Sequence, residues 1–368
     1  MVGGIERYVL DLATGQARRG EHVDITTLRR DVLGVHLGPL AGRDDVDGVR
    51  ITRLPGFGNQ RFGLCLRPDR LVRSIRRADV VHIHDLRYML GLVAIVARLT
   101  RRPLIFHTHG LLAHTTFASG LKRLLLRSYY GPMLRLGRAT IIASSANDRR
   151  MLLEDVPHLG ARTRTFLNAI DLETYLAIEP DPTAGRLLVI GRVAERKGID
   201  RLLAALAAMQ RRGAAAIWSV VIAGTDDPVE RLRLEAMVER LGLGASVRFL
   251  GEYTDAEHRT LLAGAHAAVF PSRAEGFGLA LLEAMAAGVP LIASDIPPHR
   301  ALLSSTPDLL IDFDDPEAGA DALIRVLGLD ADGRSVIAGR LRAAARSHGI
   351  DRLLGEIDAL YRDLGLPG

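Results

Sequence analysis

PSRAEGFGLALLEAMAAGVPLIAS, residues 271–294, decides the fold. The stretch AAVFPS (267–272) that runs into it is short, apolar and β-prone. Glu275-Gly276-Phe277-Gly278 then reads as a loop, and a helix of strong formers runs from about Leu279 to Ala287 before Gly288 and Pro290 stop it. PLIASD (290–295) is β-prone again. Strand, loop, helix and strand in that order make a βαβ unit, whose strands are parallel. The same alternation extends in both directions. LLVIG (187–191), WSVVIAG (218–224) and VRFLG (247–251) precede it and LLIDF (309–313) follows, with helical patterns such as IDRLLAALAAMQRRG between. The first half carries its own series: HVDITTL (22–28), VRITRLP (49–55), VVHIH (80–84), PLIFHTH (103–109), TIIAS (140–144) and RTFLN (164–168). The fold class is therefore α/β with two doubly wound parallel-sheet domains. The stretch 168–185, with Pro180, Asp181 and Pro182, reads as the linker.

The start of the chain departs from this pattern. Its first element, the helix IERYVLDLATGQARRG, follows only Met-Val-Gly-Gly, so the first strand of the N-terminal domain is missing. Such a strand sits near the centre of its sheet, and without it both neighbours lack a hydrogen-bonding partner. A translation start further upstream is expected; the alternative is a domain that closes the gap by re-pairing.

Composition narrows the classes. The 368 residues are 48% hydrophobic and 25% charged, as in ordinary globular proteins, which excludes disordered, collagen-like and coiled-coil chains. One cysteine, Cys65, excludes a disulfide framework and a thiolate cluster. The uncharged run at 88–97 is about half the length of a membrane-spanning helix, and the N-terminus is not a signal peptide, so a cytoplasmic location is expected. The net charge of +5 conceals an asymmetry: residues 53–138 carry +13 and the remainder −8. That block suits an anionic partner. Nucleic acid is the weaker choice, because stacking aromatics are scarce.

Two segments carry chemistry. In 271–294 a helix begins just beyond the carboxyl end of a strand, where unpaired N–H groups bind phosphate and two glycines admit close approach. Glu275 in the loop and Glu283 in the helix can address different parts of an elongated ligand; a plain helix cap with a solvated glutamate is the alternative. In LLVIGRVAERKGIDRLLAAL (187–206) Arg192 and Lys197 flank the turn after a buried strand, where two cations can neutralise a diphosphate without a metal. Solvated surface charges are the alternative there.

On these segments, together with Gly3-Gly4-Ile5-Glu6, RRGEHVDITT, His109-Gly110, LNAIDLETY and VRFLGEYT, the chain resembles the family 4 retaining glycosyltransferases (glycosyl transferases group 1) of the GT-B fold. The matching pieces span nearly the whole chain. The resemblance implies two Rossmann-like domains facing across a cleft, an acceptor-binding domain over 1–170 and a nucleotide-sugar-binding domain over 171–348. A final helix at 349–368 would pack back on the first domain. It implies that Arg192 and Lys197 bind the donor diphosphate, Glu283 the ribose hydroxyls and Glu275 the transferred sugar. Gly276, Phe277, Gly278 and Leu279 would line sugar and phosphates through their backbone. Gly3 and Gly4 would form a loop closing over the donor, His109 would stand near the sugar, and 250–253 would lie beside the base. His109, Glu275, Arg192 and Lys197 are the catalytic candidates.

His82 and His84 share one strand face and His107 and His109 another, so four imidazoles could meet around a metal. No carboxylate or thiolate is spaced to complete such a site, and hydrogen-bonded histidines are the expectation, with no metal and no cofactor. The segment 117–139, rich in Leu and Tyr with Lys122, Arg123, Arg127, Arg135 and Arg138, reads as a basic amphipathic helix for an anionic membrane surface, or as a helix packed on its domain with solvated arginines. The expected protein is a peripheral enzyme that moves a sugar from a nucleoside diphosphate sugar to a lipid-linked or glycan acceptor with retention, in polysaccharide or glycolipid synthesis. A sugar-nucleotide 2-epimerase and a non-catalytic partner subunit are the alternatives.

Overall fold

The computed structural model describes residues 4–29, 42–58, 63–84, 89–109, 119–183, 185–213 and 218–366. The chain divides into two compact units, one built from Ala169–Gly349, the other from Ile5–Asn168 with Ile350–Gly368.

In the N-terminal unit the strands are β1 (Asp24–Arg29), β2 (Arg43–Val46), β3 (Val49–Gly58), β4 (Gly63–Cys65), β5 (Val81–Ile83), β6 (Leu104–His107), β7 (Thr140–Ala143) and β8 (Thr163–Thr165). They form two separate sheets. β1 pairs with β3 in parallel while β2 and β4 add to β3 antiparallel. β5, β6, β7 and β8 form the second, parallel sheet in that order. Among the described residues β1 is bonded only to β3 and β5 only to β6, and no pairing joins the two sheets. The hairpin pieces β2 and β4 have no counterpart in the sequence reading, because RDDV has no apolar alternation and GLC is too short to show any. Helix Leu90–Thr100 buries Leu90, Val93, Ala94 and Ala97 against Leu104, Phe106 and Ile141 of the second sheet.

The helix Ile350–Asp363 packs on helix Gly4–Arg18 within this unit. Gln16 Nε2 donates to Tyr361 Oη at 2.8 Å, Arg19 meets Asp358 at 2.7 Å, and a Cβ on Gly15 would lie 2.8 Å from Leu354. Arg352 also donates to the carbonyl of Leu167 at 2.7 Å.

The second unit has one six-stranded parallel sheet in the order β11-β10-β9-β12-β13-β14. Its strands are β9 (Arg186–Ile190), β10 (Ser219–Ala223), β11 (Val247–Gly251), β12 (Ala267–Phe270), β13 (Leu291–Ser294) and β14 (Leu310–Ile311). Helices cover both faces, which is why β9, β12 and β13 read as unbroken apolar runs. Side chains alternate between two cores: Leu188, Ile190, Ala268 and Phe270 enter one with helix Leu279–Ala287, while Leu187, Val189, Ala267 and Val269 enter the other with helix Ile199–Arg211. The chain runs outward from β9 through β10 to β11 and then returns to the other side of β9 with β12. That reversal is the point where ligands bind in doubly wound sheets, beyond the carboxyl ends of the strands.

The linker expectation over 168–185 is corrected. Ile170, Tyr175 and Ile178 of this stretch are buried in the core of the second unit, and Asp181 and Thr183 donate backbone bonds to Ala263 and Gly264. Its apolar residues outweigh its prolines, so it is part of the domain.

Candidate functional site

The turn after β9 and the loop after β12 are stitched together at the reversal of strand order. Arg273 N donates to the Arg196 carbonyl at 2.8 Å. Gly198, at φ +63°, lies so close to Pro271 that a Cβ would stand 2.1 Å from its carbonyl oxygen. Gly224 ends β10 at φ +152°, and a Cβ there would meet the Gly191 carbonyl at 2.1 Å. These two positions exclude any side chain, for steric reasons as well as for backbone conformation.

The stitching carries Lys197 to Glu275, residues 78 positions apart. Lys197 Nζ donates to Glu275 Oε1 at 2.6 Å, Arg196 donates to Oε2 at 3.2 Å, and Ser272 Oγ donates to Oε1 at 2.7 Å. Glu275 is 8% exposed. Burial alone would raise its pKa, but the charges of Lys197 and Arg196 prevail and hold the carboxyl well below the usual range, so it is ionised. The loop then turns into helix Leu279–Ala287, whose first intrahelical bond runs from Leu282 N to the Gly278 carbonyl. The N–H groups ahead of Leu282 are left for a ligand, where the helix dipole favours an anion. Gly276 and Phe277 are buried, the Phe277 ring against His348 at 5.8 Å. Arg192 stands half-buried at the end of β9 with an interaction of its own.

Glu283 lies one turn and more into the helix, 6% exposed, with its Oε2 3.6 Å from His258 Nε2. The His258 ring in turn stands 5.3 Å from Tyr253, the residue expected beside the base. His299 accompanies the Glu275 loop: its Cδ2 approaches the Cβ position of Gly278 at 3.7 Å, its Nδ1 is 2.9 Å from the Ser294 carbonyl, and burial lowers its pKa. Arg196, Ser272, His258 and His299 did not come from the sequence reading. Arg196 adjoins Lys197 and Ser272 adjoins the loop, so proximity to the motif was a signal for both; the two histidines have none.

In the N-terminal unit His109 follows β6 with φ +48°, a left-handed conformation that a histidine adopts at a cost. Its Nε2 is 2.9 Å from Nδ1 of His84. His107 stands beside them, its ring 4.8 Å from that of His84, and Tyr8 Oη lies 3.4 Å from His107 Nδ1. One nitrogen from each of His84, His107 and His109 falls within 4.8 Å of the others. His82 is separate, with its Nε2 2.9 Å from Tyr361 Oη, so the four imidazoles do not form one set. Burial lowers the pKa of His82 to about 4 and pushes His84 and His107 well down. Gly4 opens the first helix; Gly3 and Gly110 lie outside the described residues.

The segment 117–139 is a helix over Ser119–Leu125, a π-turn over Leu126–Tyr130 and a helix over Gly131–Leu136. Arg123 and Arg127 are not free surface charges. Both pair with Asp155, whose side chain is 1% exposed, at 3.0 and 2.7 Å. Leu121, Leu124 and Leu136 are exposed, as are Ile95 and Leu99 on helix Leu90–Thr100. No helix among the described residues is long and apolar enough to cross a membrane.

A doubly wound sheet with a cation pair and a helix N-terminus at its reversal point, joined to a second unit of parallel strands, defines a glycosyltransferase of the GT-B class. The chain belongs to the glycosyl transferases group 1: that family matches residues 177–340, and the glycosyl transferase 4-like domain matches residues 3–161. The chain is 34% identical to a GDP-mannose:cellobiosyl-diphosphopolyprenol alpha-mannosyltransferase of Xanthomonas oryzae pv. oryzae, over 90% of this chain and 85% of that one. An enzyme of the same name from Komagataeibacter xylinus is 30% identical over 82% and 74% of the two chains. Among solved structures, sucrose-phosphate synthase from Thermosynechococcus elongatus superposes with a TM-score of 0.76 at 22% identity, over 98% of this chain and 94% of that one. The epimerase and non-catalytic alternatives are not favoured by these relatives.

Proposed function

We propose that the protein transfers mannose from GDP-mannose to a sugar hydroxyl of a glycan carried on polyprenyl diphosphate, with retention at the anomeric carbon and without a divalent metal. The observation that carries this reading is the near full-length likeness to mannosyltransferases of that donor and acceptor. The site supports it chemically. As the bond from the anomeric carbon to the diphosphate breaks, negative charge grows on the leaving group. Arg192, Lys197, Arg196 and the amides that open helix Leu279–Ala287 are the groups that would stabilise that charge. Glu275 holds Lys197 and Arg196 in place and meets the transferred sugar. Glu283 takes the ribose hydroxyls, and His109 is the catalytic candidate of the N-terminal unit.

The lipid-linked acceptor implies work at a membrane surface, on the cytoplasmic face where nucleotide sugars are found. Exposed Ile95 and Leu99 on one helix and Leu136 on its packed neighbour, with exposed Arg98 and Arg135 beside them, support docking on anionic lipid.

The test is incubation of the purified protein with labelled GDP-mannose and cellobiosyl-diphosphopolyprenol in excess EDTA. An α-mannosylated lipid product is expected. Label that stays on nucleotide or appears as free sugar overturns the transferase reading, inversion overturns retention, and activity that returns only with magnesium or manganese overturns metal independence.

A further inference from the structure

We propose that a cavity behind the Glu275 loop binds one pyranose ring of a glycan, at a site separate from the donor site. The cavity holds about 420 Å³ at the carboxyl ends of β13 and β14, and every residue that lines it belongs to the second unit. That volume falls in the range of small-molecule sites, about 300–1,000 Å³. Its lining is made of other residues than Arg192, Lys197, Glu275 and Glu283. Arg201 ties it to the loop: Nη1 stands 3.4 Å from the Pro271 carbonyl oxygen and 3.5 Å from that of Ser272.

Two of the lining side chains point to a ligand. Ser294 ends β13 at 1% exposure, and its Oγ has no hydrogen-bond partner among the described residues. Arg201, on helix Ile199–Arg211, has a side chain 10% exposed and an Nε in the same condition. Alanine would serve the strand at 294, and a buried hydroxyl without a partner costs stability, so folding does not account for it. The Nε–H only donates and the hydroxyl does both, so a ligand hydroxyl matches the two together. The charges favour a neutral ligand. Three arginines and three aspartates line the cavity, and the arginines already have carboxylates: Arg201 meets Asp314 at 2.5 Å, Arg273 meets Asp200 at 2.7 Å, and Arg300 pairs with Asp295. An ion would have to break one of these pairs, whereas hydroxyls use the N–H groups and lone pairs that the pairs leave over. Ile296 and Ile311, both half-buried, add an apolar wall. Hydroxyls at the edge and C–H groups on the face are what a pyranose presents; a phosphate lacks the second and a hydrocarbon chain the first.

The test follows the 13C-labelled δ-methyl signals of Ile296 and Ile311 in the full chain during titration with methyl α-mannopyranoside, cellobiose and inorganic phosphate. One or both sugars should shift the two methyls saturably with a Kd of about 1–10 mM, the weak affinity expected of a single neutral ring. Phosphate should not. Ser294→Ala should weaken sugar binding by about 5- to 10-fold while the thermal unfolding midpoint holds or rises, because a partnerless buried hydroxyl has been removed. Arg201→Met, which keeps an unbranched stem, should abolish binding. If that variant fails to fold, Asp314→Asn, at an exposed position, tests the same pair and should weaken binding severalfold. Because the reporting methyls lie in this cavity, the result does not depend on the donor assignment. No saturable shift with either sugar up to about 100 mM, unchanged affinity in Ser294→Ala, or saturation by phosphate in place of sugar overturns the proposal.

Discussion

The two units hold their functional side chains by different means. Around Glu275 the backbone does it: Gly198 lies against Pro271, Gly224 against Gly191, and a buried carboxylate takes three hydrogen bonds in between. Around His109 side chains do it, through imidazoles that bond or stack on one another beside a sheet divided in two. A site built by close backbone approach tolerates no side chain at its glycines and stays ionised across neutral pH. One built from neutral histidines depends on those rings staying uncharged. The first suits a permanent anion site.

Four measurements would sharpen or break that contrast. The largest effect is expected from Lys197→Ala, which removes the cation nearest to Glu275. Turnover should fall by about 100-fold or more while circular dichroism still reports a folded chain. Wild-type kinetics in the folded variant would remove Lys197 from the donor site. Next is Gly198→Ala. Its methyl would have to displace the Pro271 carbonyl, so unfolding free energy should drop by about 2 kcal/mol or more in denaturant titration. A loss under about 0.5 kcal/mol would mean that the two loops are not locked.

Acid should separate the units. His82 has a folded pKa of about 4 against an ordinary 6.5, so the native state binds fewer protons than the unfolded one between these values. Its stabilising contribution is complete above pH 6.5 and is lost as pH falls towards 4. Glu275 is held below its ordinary 4.5, so its contribution is complete above about that pH and lost only lower. Hydrogen exchange at pH 5 should therefore accelerate in peptides of β5 and β6 before those of β9 and β12. His82→Gln, which can keep the bond to Tyr361 without titrating, should flatten the fall. Equal acceleration in both units would show that the histidines do not set the acid limit.

The smallest effect is at the surface. Leu99→Ser with Arg135→Gln should weaken sedimentation with phosphatidylglycerol vesicles severalfold, and salt should release the parent protein. Binding that ignores both the variant and salt would remove the membrane role from this face. Arg123 and Arg127 are unsuitable probes, because replacing them would strand buried Asp155.

Much of this was legible in the residues. Apolar runs at 187–191, 267–272 and 290–295 announced a parallel sheet because strands buried on both faces need no polar alternation. The glycines and cations of 191–198 and 275–278 marked a phosphate-binding turn because few other residues fit there. Periodicity was silent on β2 and β4, which are short and polar and owe their pairing to β3. It also misread 168–185, where two prolines masked the apolar residues that anchor the stretch.

By itself, then, the sequence determined the α/β class of both units and the loop-helix motif with Glu275 and Glu283, since both are written in local pattern. Only the tertiary structure decided that Lys197, Arg196 and Ser272 share one carboxylate, that Arg123 and Arg127 belong to Asp155, and that His84 bonds His109. Apart from Ser272, three positions before Glu275 in the same loop, each of those partners comes from a separate element or turn, and which side chains meet there depends on strand order and backbone approach, which no local pattern encodes.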